Sequence, residues 1–442
     1  MEKPNVIIIM TDDQGYGDLG CMGSDYIKTP NIDSLAEGGV RFTSMYSASP
    51  VCSPSRAALL TGRYPGNAGV RAILAGHRRA SGLTPAVPTI ASALKELGYK
   101  TGISGKWHLG LKDECRPNQN GFDEFSGFLA GCLDYYSHIF YYGMADGGSN
   151  PTHDLWENEN EVYANGEYLT ELITKKGVRF INRHKDEPFF LYLAYNAPHY
   201  PMHAPEKYIE RYKDLPWDRR IMAAMISAVD DGIGEIISEL KKNGIFDNTI
   251  IYFQSDNGPS RESRNWLDGT EDPYYGGTSG IFTGHKFSLF EGGIRIPAIF
   301  YWGDKIKKSV CENAHISTDI FPTLIEACGG DPAKFELDGI SILSELKGEE
   351  EQLHEYIFWE MEDQTAVRYG RYKLVINGRL VENEEKRADV FLSDLINDPG
   401  EKFDLSEKMP QLAEKLKSAA LNWRAGIEKN WEEKFAANYK LA

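Results

Sequence analysis

The chain has 442 residues, 41% apolar and 12% aromatic, enough to bury a large core and more than one domain usually holds. A formal net charge of -17 argues against a nucleic-acid backbone or an anionic membrane surface as partner, while leaving room for a small, locally basic pocket. No run of about 18 apolar residues occurs, and Val6-Ile7-Ile8-Ile9-Met10 is too short for a signal-peptide core. The chain as given is therefore expected in the cytoplasm, or in the periplasm or secreted if a leader has been removed.

Taken in order, the first element is an apolar strand from Asn5 to Met10 that ends in Thr11-Asp12-Asp13-Gln14-Gly15. Thr29-Pro30 caps a short helix through Ala36. Ser53 as N-cap and Pro54 as first helical residue predict a helix through Ala57-Ala58-Leu59-Leu60 whose N-terminus lies at position 52. A further helix spans Thr89 to Leu97, with Gly98 at its end. Phe189 to Tyr195 is a second buried strand, ending in Asn196-Ala197-Pro198-His199. A long helix from Arg219 to Asn243, closed by Gly244, leads to a third strand, Thr249 to Gln254, and to Ser255-Asp256-Asn257-Gly258.

Strands of this kind, separated by helices, predict an α/β fold with a large, mostly parallel sheet flanked by helices. The polar residues that follow the strands then gather at one rim, where such sheets hold ligands. After about residue 345 the texture changes to short strands at Glu355–Trp359, Thr365–Tyr369, Tyr372–Ile376 and Val390–Leu395, followed by a helix from Pro410 to Lys429. We therefore expect a catalytic unit at 1–345 and a smaller C-terminal unit at 346–442, an antiparallel sheet with a packed helix. The six cysteines are scattered without metal-type pairing or a dense disulfide framework and are expected to be mostly reduced.

Cys52-Ser53-Pro54-Ser55-Arg56, followed by Ala57-Ala58-Leu59-Leu60-Thr61-Gly62, is the pattern read by the formylglycine-generating machinery. Gly98-Tyr99-Lys100-Thr101-Gly102-Ile103-Ser104-Gly105-Lys106-Trp107-His108 matches a second signature of the same family. On these motifs the chain resembles the type I sulfatases of the alkaline phosphatase-like superfamily. The C-terminal sheet and helix, and the turn Leu395-Ile396-Asn397-Asp398-Pro399-Gly400-Glu401, also resemble the way sulfatases end.

The resemblance implies that Cys52 is oxidised to formylglycine, either by a formylglycine-generating or by an anaerobic sulfatase-maturating enzyme. One hydroxyl of the hydrated aldehyde attacks sulfur and the other later expels sulfate. Arg56, Lys106 and Lys286 would bind the sulfate. His108 is the base of the second step; it lies on the same side as Lys106 if that stretch is extended. His199 assists the leaving alcohol, with His203 a weaker competitor. Lys286 is placed by the sulfatase-like Glu291-Gly292-Gly293-Ile294-Arg295-Ile296-Pro297. His285 competes for its role, and Phe287 stands where the family more often has glycine.

Asp12, Asp13, Asp256 and Asn257 supply only oxygen ligands, which select a hard cation. With one oxygen from residue 52 the set matches the sulfatase metal site, so Ca2+ or Mg2+ is expected, polarising a sulfate oxygen, with Asp256 helping to activate the attacking hydroxyl.

The substrate class is a small anionic sulfate ester. Gly121-Phe122-Asp123-Glu124-Phe125 and Asp134-Tyr135-Tyr136-Ser137-His138 resemble the arylsulfatase B and N-acetylgalactosamine sulfatase branch, which implies a sulfated sugar. Tyr135, Tyr136 and His138 would then either line the ring site or form part of the core, and Arg71, His77, Arg78 and Arg79 would either meet a second anionic group or form a solvated basic loop. The alternatives are an aryl or steroid sulfate, a phosphonate monoester or phosphodiester hydrolase of the same superfamily, and a non-catalytic anion-binding protein.

Overall fold

The computed structural model describes residues 3–141, 151–261, 276–351 and 353–439. Ten strands form one sheet: β1 (Asn5–Thr11), β2 (Val40–Phe42), β3 (Lys100–Lys106), β4 (Glu124–Phe128), β5 (Trp156–Glu157), β6 (Asn160–Glu161), β7 (Phe189–Ala194), β8 (Thr249–Ser255), β9 (Ala298–Tyr301) and β10 (Ser309–Cys311). Their order is β10-β2-β9-β8-β1-β7-β3-β4-β5-β6. The central five, β8-β1-β7-β3-β4, run parallel. Antiparallel pairs flank them on both sides.

β1, β7 and β8 are buried along their whole length, which is why they read as unbroken apolar runs instead of alternating ones. Successive side chains feed two cores. Val6, Ile8, Met10, Phe190 and Tyr192 pack on one face with the Cys52–Thr61, Ile90–Glu96 and Ile320–Ala327 helices. Ile7, Ile9, Leu191 and Leu193 pack on the other, with Leu169–His184 and Trp217–Lys242. The result is a helix–sheet–helix sandwich whose parallel strands all point their C-terminal ends at one rim.

The C-terminal sheet contains β11 (Ile357–Met361), β12 (Gln364–Tyr369), β13 (Tyr372–Ile376) and β14 (Val390–Asp394), antiparallel in sequence order, with the helix Pro410–Lys434 packed against it. A third apolar cluster joins this sheet to the larger unit through Tyr46, Ala48, Phe290, Ile294, Trp359 and Phe391. No helix among the described residues is long and apolar enough to cross a membrane.

Two expectations need correction. The helix after residue 51 begins at Cys52 with Val51 as its cap residue. Ser53 does not cap it, because its Oγ is taken by Leu74 N at 3.1 Å. The long helix starts at Trp217, two residues ahead of Arg219, because Pro216 with ψ 152 ends the extended chain there.

A candidate active site at the C-terminal rim

β1 and β8 are parallel neighbours in register, Thr11 opposite Ser255, so the two acidic turns that follow them meet. Asp13 adopts φ 60, a left-handed conformation that asparagine and aspartate tolerate best, and its N–H donates to Asp256 Oδ1 at 3.0 Å. Asn257 Nδ2 donates to Asp13 Oδ1 at 2.7 Å. Gly258 is obligatory here: a Cβ would lie 1.9 Å from the Gly292 carbonyl oxygen. The Glu291-Gly292-Gly293 turn therefore presses directly on the acidic turn.

The Cys52–Thr61 helix aims its first turn at this cluster. Cys52 is 2% exposed, with Sγ 3.3 Å from Asp12 Oδ1 and 3.8 Å from Asp13 Oδ1. One turn on, Arg56 is fully buried and holds Asp256 Oδ2 with Nε at 3.1 Å and Nη2 at 2.7 Å. Nη2 also lies 3.5 Å from Asp12 Oδ1. Lys106, the last residue of β3, donates to Asp12 Oδ2 at 2.6 Å. Lys286 donates to Asp13 Oδ2 at 2.8 Å and faces His199 Nε2 at 3.3 Å.

Burial pushes the Cys52 thiol well above its usual range, and the charge of Asp256 adds to this. As a thiol it is a poor nucleophile. Burial likewise raises Asp12 to about 7; Lys106 opposes this, and the charge of Asp256 reinforces it. Asp13 and Asp256 respond the other way: burial acts to raise both, but Lys286 and His199 hold Asp13, and Arg56 and Lys106 hold Asp256, below the usual carboxylate range.

A divalent cation fits this environment. Asp12, Asp13, Cys52 and His199 each offer a ligand atom within 4.8 Å of the others, and Asn257 Oδ1 is a buried acceptor without a hydrogen-bond donor. Asp256 stands apart from that group of four, its Oδ2 being occupied by Arg56.

The two histidines have defined tautomers. His108 Nε2 lies 3.1 Å from the Leu74 carbonyl, which can only accept, so Nε2 carries the proton and buried Nδ1 keeps its lone pair. His199 Nδ1 donates to Tyr200 O at 2.6 Å, which leaves Nε2 as the acceptor facing Lys286. Burial, then Lys106 and Arg56, hold His108 well below the usual imidazole range. Burial holds His199 down at about 3; Asp13 opposes it and Lys286 reinforces it. Both rings are neutral near pH 7.

His108 does not share a face with Lys106 by strand alternation. β3 ends at Lys106, and His108 turns back into the pocket through φ 53. The pocket that contains Cys52 is lined by His108, His199 and Lys286, and also by Ile73, Phe140, Tyr200, Phe287 and Glu382, which sequence reasoning did not single out as lining. Tyr200 could have been found as the neighbour of His199. Glu382 carried no signal, because it reaches the pocket from the C-terminal unit.

The proposed sugar-contacting residues are placed otherwise. Tyr135 is fully buried, donates to His199 O at 2.8 Å and stacks on Tyr168, so it supports the histidine loop from within the core. His138 is fully buried against Glu167 O, and Tyr136 packs on Tyr168 and His203. Arg71 is paired with both oxygens of Glu360 and Arg78 with Glu161; His77 and Arg79, like His203 and His285, are not among the pocket-lining residues. None of the six cysteines forms a disulfide.

The family model described as Sulfatase matches residues 4–330. Arylsulfatase J of Mus musculus is 32% identical over 94% of this chain and 74% of its own length. N-acetylgalactosamine-6-sulfatase of Mus musculus is 31% identical over 92% of this chain and 82% of its own. Among solved structures, Ps i-CgsB in complex with k-i-k-neocarrahexaose superposes with a TM-score of 0.82 at 32% identity, covering 96% of this chain and 93% of that one. The match of the family model over residues 4–330, together with relatives above 30% identity aligned over more than nine-tenths of this chain, shows that the chain belongs to the sulfatase family and is a sulfatase enzyme.

Proposed function

We propose that this sulfatase hydrolyses the sulfate monoester of a sugar, using formylglycine made from Cys52 and a bound Ca2+ or, alternatively, Mg2+. The observation that carries the reading is the convergence on Cys52 of Asp12 and Asp13, with Arg56 and Lys106 held on the same carboxylate cluster. Residue 52 supplies the nucleophile, and a maturation enzyme of the formylglycine-generating or anaerobic type is its obligatory partner.

Asp12, Asp13, Asp256, Asn257 and residue 52 would hold the cation. When bound, the cation withdraws charge from a sulfate oxygen and favours the ionised nucleophile. Lys106 and Lys286 then exchange carboxylate oxygens for sulfate oxygens, which stabilises charge developing in transfer. A proton for the leaving alcohol comes from the Lys286–His199 pair, where the ammonium faces the bare Nε2. His108 Nδ1, open and neutral, accepts the proton that frees sulfate in the second step.

The names of the relatives favour a sugar, since one is named N-acetylgalactosamine-6-sulfatase and one solved neighbour is in complex with k-i-k-neocarrahexaose. Ile73, Phe140 and Phe287 give the pocket an apolar wall, which supports an aryl or steroid sulfate as second reading. Peptide mass at residue 52 tests the nucleophile: the mass of the aldehyde is expected in place of the thiol. Cys52→Ala is expected to lose all turnover of an aryl sulfate while unfolding as the wild type does. Near-wild-type turnover in that variant ends the proposal.

A further inference from the structure

Far along the sheet from the pocket, the edge strand β10 and the short helix Leu343–Leu346 bring together three side chains of a different chemical kind. Cys311, His315 and Glu345 each present a ligand atom within 4.8 Å of the other two. Sulfur, imidazole and carboxylate together are the donors of zinc, and they contrast with the hard oxygens at the rim.

The three ligand atoms lie close enough for one ion to draw them into a tetrahedron, with His315 and Cys311 now facing different oxygens of Glu345. Bond lengths near 2.0 Å to nitrogen and oxygen and 2.3 Å to sulfur put the corners about 3.3 Å apart for N···O and about 3.5 Å for S···O. Here His315 Nε2 lies 3.1 Å from Glu345 Oε2, and Cys311 Sγ lies 3.2 Å from Glu345 Oε1. His315 is completely buried, yet neither ring nitrogen makes a hydrogen bond of acceptable geometry, Nε2 included despite that short approach.

The surroundings are those of an oriented ligand set. Nδ1 of His315 lies 3.8 Å from Asp319 Oδ2, within ion-pair range but beyond a hydrogen bond. Asp319 is itself fixed by the N–H groups of Ile316 and Ile340 and by His354. Phe42 meets the His315 ring edge-on, and Asn313 Nδ2 donates to Glu345 Oε1 at 2.8 Å. The adjoining cavity, lined also by Glu312 and Glu351, leaves room for a fourth ligand.

We propose that Cys311, His315 and Glu345 form a zinc site separate from the catalytic centre. Binding exchanges the thiol proton of Cys311, released to solvent, for a Zn–S bond, with water or the Glu351 carboxylate completing the tetrahedron. The ion ties the edge strand and the His315–Ile316 bridge, which pairs with Met45–Tyr46, to the helix Leu343–Leu346. Its role is to clamp this corner of the sheet.

The test uses the full-length Cys52→Ala protein, stripped with a chelator, so that the residue-52 thiol contributes nothing. Titration with Co2+ is expected to produce one equivalent of a near-ultraviolet thiolate-to-cobalt charge-transfer band, bleached by Zn2+ and untouched by Ca2+. Adding Cys311→Ser is expected to abolish the band and the Zn2+-dependent rise in Tm. Glu345→Gln, partly exposed and easily tolerated, is expected to weaken Co2+ binding at least tenfold. Absence of the band in folded protein, or a band of equal intensity in the Cys311→Ser protein, overturns the proposal.

Discussion

His199 and His108 line one pocket but answer to different neighbours, and this separates their roles. His199 faces Lys286, and in the proposed mechanism its removal would disturb protonation of the leaving oxygen. His199→Ala is expected to slow sugar sulfates by about 100-fold or more, and nitrophenyl sulfates, whose leaving oxygen needs little help, far less. His108→Ala is expected to release one equivalent of alcohol in a burst and then stall, whatever the leaving group. Stopped-flow comparison of both variants on two leaving groups checks this; equal leaving-group sensitivity reverses the assignment.

Phe287 occupies φ 73, a conformation bulky residues avoid at a cost of roughly 1–2 kcal/mol. It is fixed there by its N–H to Pro50 O at 3.0 Å and by Gln364 Nε2 on its carbonyl at 2.9 Å, while the ring lines the pocket. Phe287→Gly is expected to relax the backbone but to raise KM for an aryl sulfate severalfold with kcat nearly unchanged. The sequence exposed this position only as a departure from glycine; that the side chain forms a wall of the pocket required the fold.

At the scale of elements, the join between the two sheets rests on charge as well as on apolar packing. Lys373 of β13, fully buried, lies between Glu291 Oε1 at 2.9 Å and Glu401 Oε1 at 3.2 Å. Glu401 Oε2 in turn accepts the Glu291 N–H at 2.6 Å. Replacing Lys373 by Met strands two carboxylates in the interior and is expected to cost about 3–5 kcal/mol in denaturant unfolding.

Burial raises Glu401 to about 7, with Lys373 opposing and Glu291 reinforcing the shift. Burial also acts to raise Glu291, but Lys373, Arg295 and Arg368 outweigh it and hold Glu291 at about 2. Because Glu401 binds its proton more tightly folded than unfolded, its contribution is complete below its usual value of 4.5 and is lost as pH rises through about 7. Glu401→Gln is therefore expected to gain on the wild type in Tm between pH 5 and pH 8, an ordering that thermal melts read directly.

These elements show what was legible. The three buried strands and the four C-terminal ones were read within a few residues, because unbroken or alternating apolar runs bounded by turns are local signals. The helix Leu169–His184 escaped notice although Leu169, Leu172, Ile173, Phe180 and Ile181 form its buried stripe. The Glu291–Lys373–Glu401 group could not be read at all, since its members lie 82 and 110 positions from Glu291 and carry no local pattern.

For the whole molecule, the formal charge of -17 favours a bound divalent cation, which would face the buried carboxylates of the rim. Chelation is expected to lower activity and Tm together, and Ca2+ or Mg2+ to restore them better than Zn2+ at the hard rim site. At a cation concentration 100 times its Kd the gain is about 2.7 kcal/mol. Asp13→Asn, which keeps the left-handed backbone, is expected to lose that response; an unchanged cation-dependent Tm rise removes Asp13 from the ligand set.

The near-complete burial of Cys52 also sets a clock on synthesis. The wall that closes over its helix comes from far downstream, Arg56 and its partner Asp256 being 200 residues apart. At about 5–20 residues per second the ribosome takes on the order of 10–40 s to deliver that strand, and until then the cysteine segment is an accessible, extended peptide. The proposed maturation enzyme would have that interval and little more. If Cys52 is oxidised as proposed, the abundance of active enzyme would depend on a race between translation and oxidation, and slowing elongation is expected to raise the aldehyde fraction at residue 52.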